Sequence, residues 1–134
     1  MTIAESFIQF LEDQGIATFG QDLYLRKVPN SYNTTKDVYW VIPSGGQPLS
    51  KLKTGEILKQ YSFLIYFRSM KVKIVEEKTF ELEELLNCSG CVSLEGFDVV
   101  SIDVNRYASD EDIDLEDREV GLVQVNINTY KNIC

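Results

Sequence analysis

The sequence contains no histidine among its 134 residues. That absence removes Ser-His-Asp and Cys-His catalysis, together with the commonest metal ligand. Cysteine and proline are scarce, with three of each, yet a chain of this length buries a genuine core and should fold as one domain without metal or disulfides. No apolar run reaches about 18 residues, and no basic stretch leads into an apolar one. Neither a transmembrane helix nor a secretory signal is therefore expected, and the chain reads as cytoplasmic at synthesis. Basic residues are also in deficit, 13 against 21 acids for a formal charge of -8. A face that binds nucleic acid normally shows clustered Lys and Arg on a basic background, so this balance argues against one.

Short motifs that carry chemistry elsewhere fail here on context. Cys88-Ser89-Gly90-Cys91 is a CxxC, but zinc needs two further ligands and only Cys134 remains as a thiol. A redox pair should open a helix, whereas this one follows a helical pattern, so the thiols read as reduced and structural. Ser50-Lys51-Leu52-Lys53 and Lys53-Thr54-Gly55 match elements of penicillin-recognising enzymes, but they overlap, and in those enzymes they belong to different parts of a larger fold. Asp110, Asp112 and Asp114 mimic the start of a calcium loop, but Leu115 stands at the turn glycine and Gly121 at the bidentate glutamate. Ser44-Gly45-Gly46 lacks the G-K-[ST] of a phosphate loop. No cofactor, metal site or catalytic constellation is expected, and so no enzyme.

What is present is clear periodicity, organised around residues 56–87. Ile57, Tyr61, Phe63, Ile65 and Phe67 alternate with more polar neighbours, the mark of a long central strand over 57–67. After Arg68-Ser69-Met70 the period changes to that of a helix over 71–87. Val72, Ile74, Val75, Leu82, Leu85 and Leu86 share one side, Phe80 lies off the stripe, Ser69 reads as the N-cap and Gly90 as the stop. Upstream, Thr2 and Glu5 form a capping box for a helix centred on Ile3, Phe7, Phe10 and Leu11 and closed by Gly15. Strands are expected over 23–28 and over 37–42, the latter with Val38, Trp40 and Ile42 on one face. Pro43-Ser44-Gly45-Gly46-Gln47-Pro48 should then break regular structure as part of a flexible loop over 43–55. Strands over 97–107 and 120–130 follow, the first with Val100, Ile102 and Val104 inward. The second carries Val123, Val125 and Ile127 inward and Gln124, Asn126 and Asn128 outward, which implies a sheet with one face solvated or covered by a partner.

The predicted fold is α+β: a single, mainly antiparallel sheet of four to five strands with two helices packed on it, in the order α-β-β-β-α-β-β. Charge is unevenly placed along it. Residues 110–119 hold seven acids against Arg118 alone, within an acidic loop over 108–119. Lys51, Lys53, Lys59, Arg68, Lys71 and Lys73 fall within 23 residues that contain one acid, Glu56. The plain reading of both is a solvated fringe.

This succession resembles the tail-terminator and minor-capsid proteins of long-tailed bacteriophages. The resemblance spans nearly the whole chain: an amphipathic opening helix, strands through Trp40, the aromatic strand ending Tyr66-Phe67-Arg68-Ser69, the helix after it, and two strands around a long loop. It implies a structural virion protein that forms a ring, usually six-fold. Such a ring caps the tail tube, halts its polymerisation and docks on the head connector. It implies as partners the chain itself, the tail tube protein and the connector or head-completion protein, with no sequence-specific nucleic acid and no membrane. A head-completion role and a monomeric acidic module mimicking nucleic acid are the alternatives. Within a ring, the basic residues of one subunit are expected to meet Asp110, Glu111, Asp112, Asp114, Glu116 and Asp117 of its neighbour, because the two segments should sit at separate ends of long strands.

Overall fold

The computed structural model describes residues 2–28, 37–51, 56–69, 71–87, 94, 98–107 and 119–132. They form α1 (Ile3–Asp13), β1 (Leu23–Leu25), β2 (Val38–Lys51), β3 (Glu56–Ser69), α2 (Val72–Asn87), β4 (Asp98–Tyr107) and β5 (Glu119–Asn132). One five-stranded sheet results, in the order β1-β2-β3-β5-β4. The order and class are those expected. Its β2, β3, β5 and β4 pair antiparallel, and only β1 joins parallel, against Tyr39 to Val41 of β2.

Local chemistry explains the ends of α1. The Thr2 hydroxyl accepts from the Glu5 backbone N–H at 3.2 Å, and the Glu5 carboxylate accepts from Thr2 in return. At the other end Gly15 takes φ +76°, Gly15 N donates to the Glu12 carbonyl and Ile16 N to the Leu11 carbonyl. That pair of bonds closes the last turn, and the left-handed position suits glycine, which has no Cβ to clash. β1 stops at Leu25 rather than 28 because Arg26 adopts φ +74°, where extended backbone cannot continue.

Both helices lie on one face of the sheet. Phe7 and Leu11 of α1, Val75, Leu82 and Leu86 of α2, and the alternating Phe63, Ile65, Phe67, Val123, Val125 and Ile127 of the strands share one core. Phe7 stacks on Phe63 with centroids 4.6 Å apart, fixing α1 over the middle of β3. Each such fully buried side chain is worth about 1.5–3 kcal/mol in removed apolar surface. On β2 it is Tyr39 and Val41 that join this core, while Val38, Trp40 and Ile42 share the other face, as expected of one set, with Val38 fully buried there. On β4, Ile102 and Val104 face the core as expected, Val99 packs against it beside a register shift between Val99 and Ser101, and the side chain of Val100 lies outside the described residues.

Two expectations are corrected. The Pro-Gly stretch does not end β2: the strand runs through it to Lys51, with register shifts between Pro43 and Gly46 and between Pro48 and Ser50, where a loop over 43–55 was expected. β3 supplies the pairing that local sequence lacks, and β1 ends before this stretch, so the prolines sit on an edge where a missing N–H costs no ladder bond. Ser69 is not the N-cap of α2. Lys71 holds that place, its carbonyl accepting from Ile74 and Val75, while the Ser69 hydroxyl accepts from Lys71 N at 3.3 Å. The CxxC, Gly90 and residues 29–36 and 52–55 lie outside the described residues.

Candidate subunit-interface surface

The face of the sheet away from the helices has no layer on it among the described residues. Because side chains alternate along each strand, it collects Val38, Trp40 and Ile42 from β2, Leu64, Tyr66 and Arg68 from β3, and Leu122 from β5; Val38, opposite Arg68, is fully buried and the others are half-buried. Trp40 and Tyr66 are directly opposite in the register, and their rings stack 5.1 Å apart at 7°. The Arg68 guanidinium lies 5.7 Å from the Trp40 ring centroid. This cation over an aromatic face holds the arginine flat against the sheet. Tyr66 and Arg68 both lie against Trp40, which leaves little aromatic face free for a base or sugar to stack on.

Toward the other end the same face turns polar. Ser62 donates to Asn126 Oδ1 at 2.6 Å, and Asn128 Nδ2 donates to Ser101 Oγ at 2.8 Å. The exposed Asp103 and Asn105 complete the β4 side. The surface is therefore graded, with an aromatic and cationic corner across β2 and β3 and an amide-rich remainder across β5 and β4.

The edges of the sheet are poor surfaces for pairing. Past Val41 the outer edge of β2 carries Pro43, Pro48 and two register shifts, and β4 carries a shift and the exposed Asp103. Proline, irregular register and edge charge all block edge-to-edge addition of strands. Among the described residues the sheet face away from the helices carries no such guard across Trp40, Ile42, Leu64 and Tyr66.

The structure separates the basic residues that the sequence groups. Lys59 and Arg68 lie nine residues apart on one extended strand, about 30 Å at 3.3 Å per residue. Lys59 Nζ sits 5.0 Å from the Tyr61 ring, at the end where Lys51 pairs with Ile57. Arg68, with the exposed Lys71 and Lys73, marks the opposite end. Lys53 and all of Asp110, Glu111, Asp112, Asp114, Glu116 and Asp117 lie outside the described residues. Their flanking strands are placed, however: Glu119 pairs with Ser69, and Tyr107 with Leu122. The stem of the acidic segment thus shares its end of the sheet with Arg68, Lys71 and Lys73, not the separate end expected, because β4 and β5 pair antiparallel and meet where β3 finishes.

Among the described residues, the groove beside α1 brings no catalytic set together. It measures about 380 Å³ and is lined by Glu5, Ile8, Gln9, Glu12, Phe19 and Leu25. Glu5 closes the capping box and Glu12 accepts from Phe19 N at 2.8 Å, so both carboxylates serve local structure. Among the described residues no three His, Cys, Asp or Glu side chains gather closely enough to hold a metal, and no helix is long and apolar enough to cross a membrane.

Sequence reasoning reached Arg68 by its charge and missed Trp40 and Tyr66 as partners. Their cross-strand stacking depends on register, which no local pattern reports. Comparison with protein-family models finds none that matches the chain, and no curated protein matches it.

Proposed function

We propose that this chain is a structural virion subunit of the tail-terminator kind, forming a ring that caps a tail tube, halts its polymerisation and joins tail to head. The observation that carries this reading is the open sheet face bearing Trp40, Tyr66 and Arg68. Trp, Tyr and Arg are the residue types most enriched where protein contacts concentrate their energy. A partner covering that corner desolvates an apolar surface already ordered by stacking, so little conformational entropy is lost on docking. The element order and the aromatic strand leading into α2 add the family resemblance. A ring acts by occupying the surface to which the next tube subunit would add, which needs no catalytic group.

Two measurements test this. Native mass spectrometry across concentration should reveal a closed ring. Incubation with the polymerising tube protein of the same particle should arrest tube growth, with density at one tube end by electron microscopy. Tubes of unchanged length with bare ends would overturn the reading.

A further inference from the structure

Residues 2–25 form an arm that is braced from within. Thr2 bonds to Glu5, Glu12 accepts from Phe19 N, Asp22 accepts from Thr18 N, and the Tyr24 hydroxyl donates to the Gly20 and Gln21 carbonyls. Outward, the arm gives the side chains of Phe7, Phe10, Leu11 and Leu23 to the common core, and β1 lies parallel to β2 over three residue pairs. Because β2 runs parallel to β1, the chain must turn back after Leu25 to reach the start of β2. It does so through a forced reversal. Lys27 N donates to the Leu25 carbonyl at 3.0 Å around Arg26 at φ +74°, a γ-turn of the rare, strained hand. Arg26 is the one non-glycine with positive φ among the described residues, and its side chain is exposed. Nothing in an exposed arginine side chain favours that backbone; the docking of the arm on its own chain demands it.

We infer that this arm exchanges between copies: α1 and β1 of one subunit dock on β2 and β3 of the next, through the contacts they make here within one chain. Exchange keeps the Phe7–Phe63 stack and the Leu25–Val41 pairing, so burial does not distinguish the two forms. What differs is the connection. On its own chain it must reverse at Arg26 with strained backbone; between copies it can run straight on, and that strain is released. Pro29, three residues later, also biases Val28 towards extended backbone. Residues 26–37 span about 40 Å when extended, enough to bridge neighbouring subunits. An arm passed from each copy to the next is a head-to-tail contact, which closes into a ring when the rotation per subunit allows. The exchange stands on the geometry of the arm; its closing into a ring rests on the reading above.

The test compares wild type, Arg26→Gly and Arg26→Val by sedimentation velocity and native mass spectrometry over a concentration series, with circular dichroism to establish folding. Both variants lose the same charge, so a difference between them reports the backbone alone. Glycine accepts positive φ freely and should weaken association at least about tenfold, whereas β-branched valine resists it and should strengthen association by a similar factor. Equal association of the two variants would overturn the exchange. A second measurement uses Leu25→Cys/Val41→Cys, with Cys88, Cys91 and Cys134 changed to serine, oxidised at a concentration where the protein is assembled. Adjacent strands lie about 4.8 Å apart, within disulfide reach. Non-reducing gels should show covalently joined multimers. Assembled rings whose new disulfides lie only within single chains would overturn the exchange while leaving the ring reading in place. Where one measurement fails, through misfolding or an unformed bond, the other decides. Wild-type and Arg26→Val protein that both stay monomeric at every concentration overturn both readings.

Discussion

Gly121 of β5 lies directly under Thr79 of α2: a Cβ at Gly121 would stand 2.5 Å from Thr79 Cγ2 and 2.7 Å from Val75 Cγ1. The helix rests on the sheet at this point, and it can approach so closely only because β5 has no side chain there. Thr79 is further fixed by its hydroxyl, which donates to the Val75 carbonyl at 2.8 Å and the Glu76 carbonyl at 3.1 Å. Both neighbouring side chains are β-branched and stiff in a helix, so neither yields readily.

Gly121→Ala should therefore destabilise the protein by about 1–3 kcal/mol, the usual cost of overpacking. Chemical denaturation measures it. Adding Thr79→Ala should recover part of the loss, as the Val75 contact persists. A neutral Gly121→Ala would mean that α2 can lift from the sheet at no cost.

The stacked pair Phe7 and Phe63 joins α1 to the sheet, with both rings fully buried. Phe63→Ala should cost about 3–5 kcal/mol, and Phe63→Leu distinctly less, because the cavity left behind sets the difference. Loss of stability with retained α2 signal in hydrogen exchange would locate the damage at α1.

At the start of α1, Thr2→Ala removes the hydroxyl that accepts from Glu5 N. The expected loss is about 1 kcal/mol in urea denaturation. Thr2→Ser should be close to wild type, since the accepting oxygen remains.

Burial pushes the Tyr39 phenol well above its ordinary range, and the carboxylates of Glu81, Asp22 and Asp37 add to the shift. The folded state thus holds this proton more tightly than the unfolded chain, whose tyrosines titrate near about pH 10. Its contribution is fully present below that pH and is lost as pH rises toward the folded value. Thermal melts should fall above about pH 10, and Tyr39→Phe should flatten that alkaline decline. An unchanged slope in Tyr39→Phe would assign the decline to other groups.

Trp40 is the chain's single tryptophan and stands on the open face. If a partner covers that face, its emission should shift to shorter wavelength as protein concentration rises through assembly. Emission independent of concentration while rings form would place the contact elsewhere.

The two helices and the identity of the strands were legible from periodicity, since a buried face forces period two on a strand and 3.6 on a helix. The capping box of Thr2 and Glu5 and the alternation of Val123, Val125 and Ile127 needed nothing from outside their own segments. The site was legible only in part. Arg68 stood out by charge, but Trp40 and Tyr66 become partners through a register that joins β2 to β3 at positions 26 residues apart.

What tertiary structure alone decided concerns relations between segments. The Pro43 to Pro48 stretch is a strand because β3 pairs with it and nothing among the described residues pairs with its outer edge. Tyr39 and Val41 face the helices while Val38, Trp40 and Ile42 take the other face, because β2 carries hydrophobic side chains on both faces and only the position of the helices breaks the tie. Gly121 and Thr79 meet because α2 crosses β5, a contact between residues with no shared local pattern. Arg68 shares its end of the sheet with the stem of the acidic segment because antiparallel pairing brings the start of β5 to the end of β3. Periodicity within a segment records that one face is buried, whereas the choice of face, neighbour and register is set by the other elements that cover it.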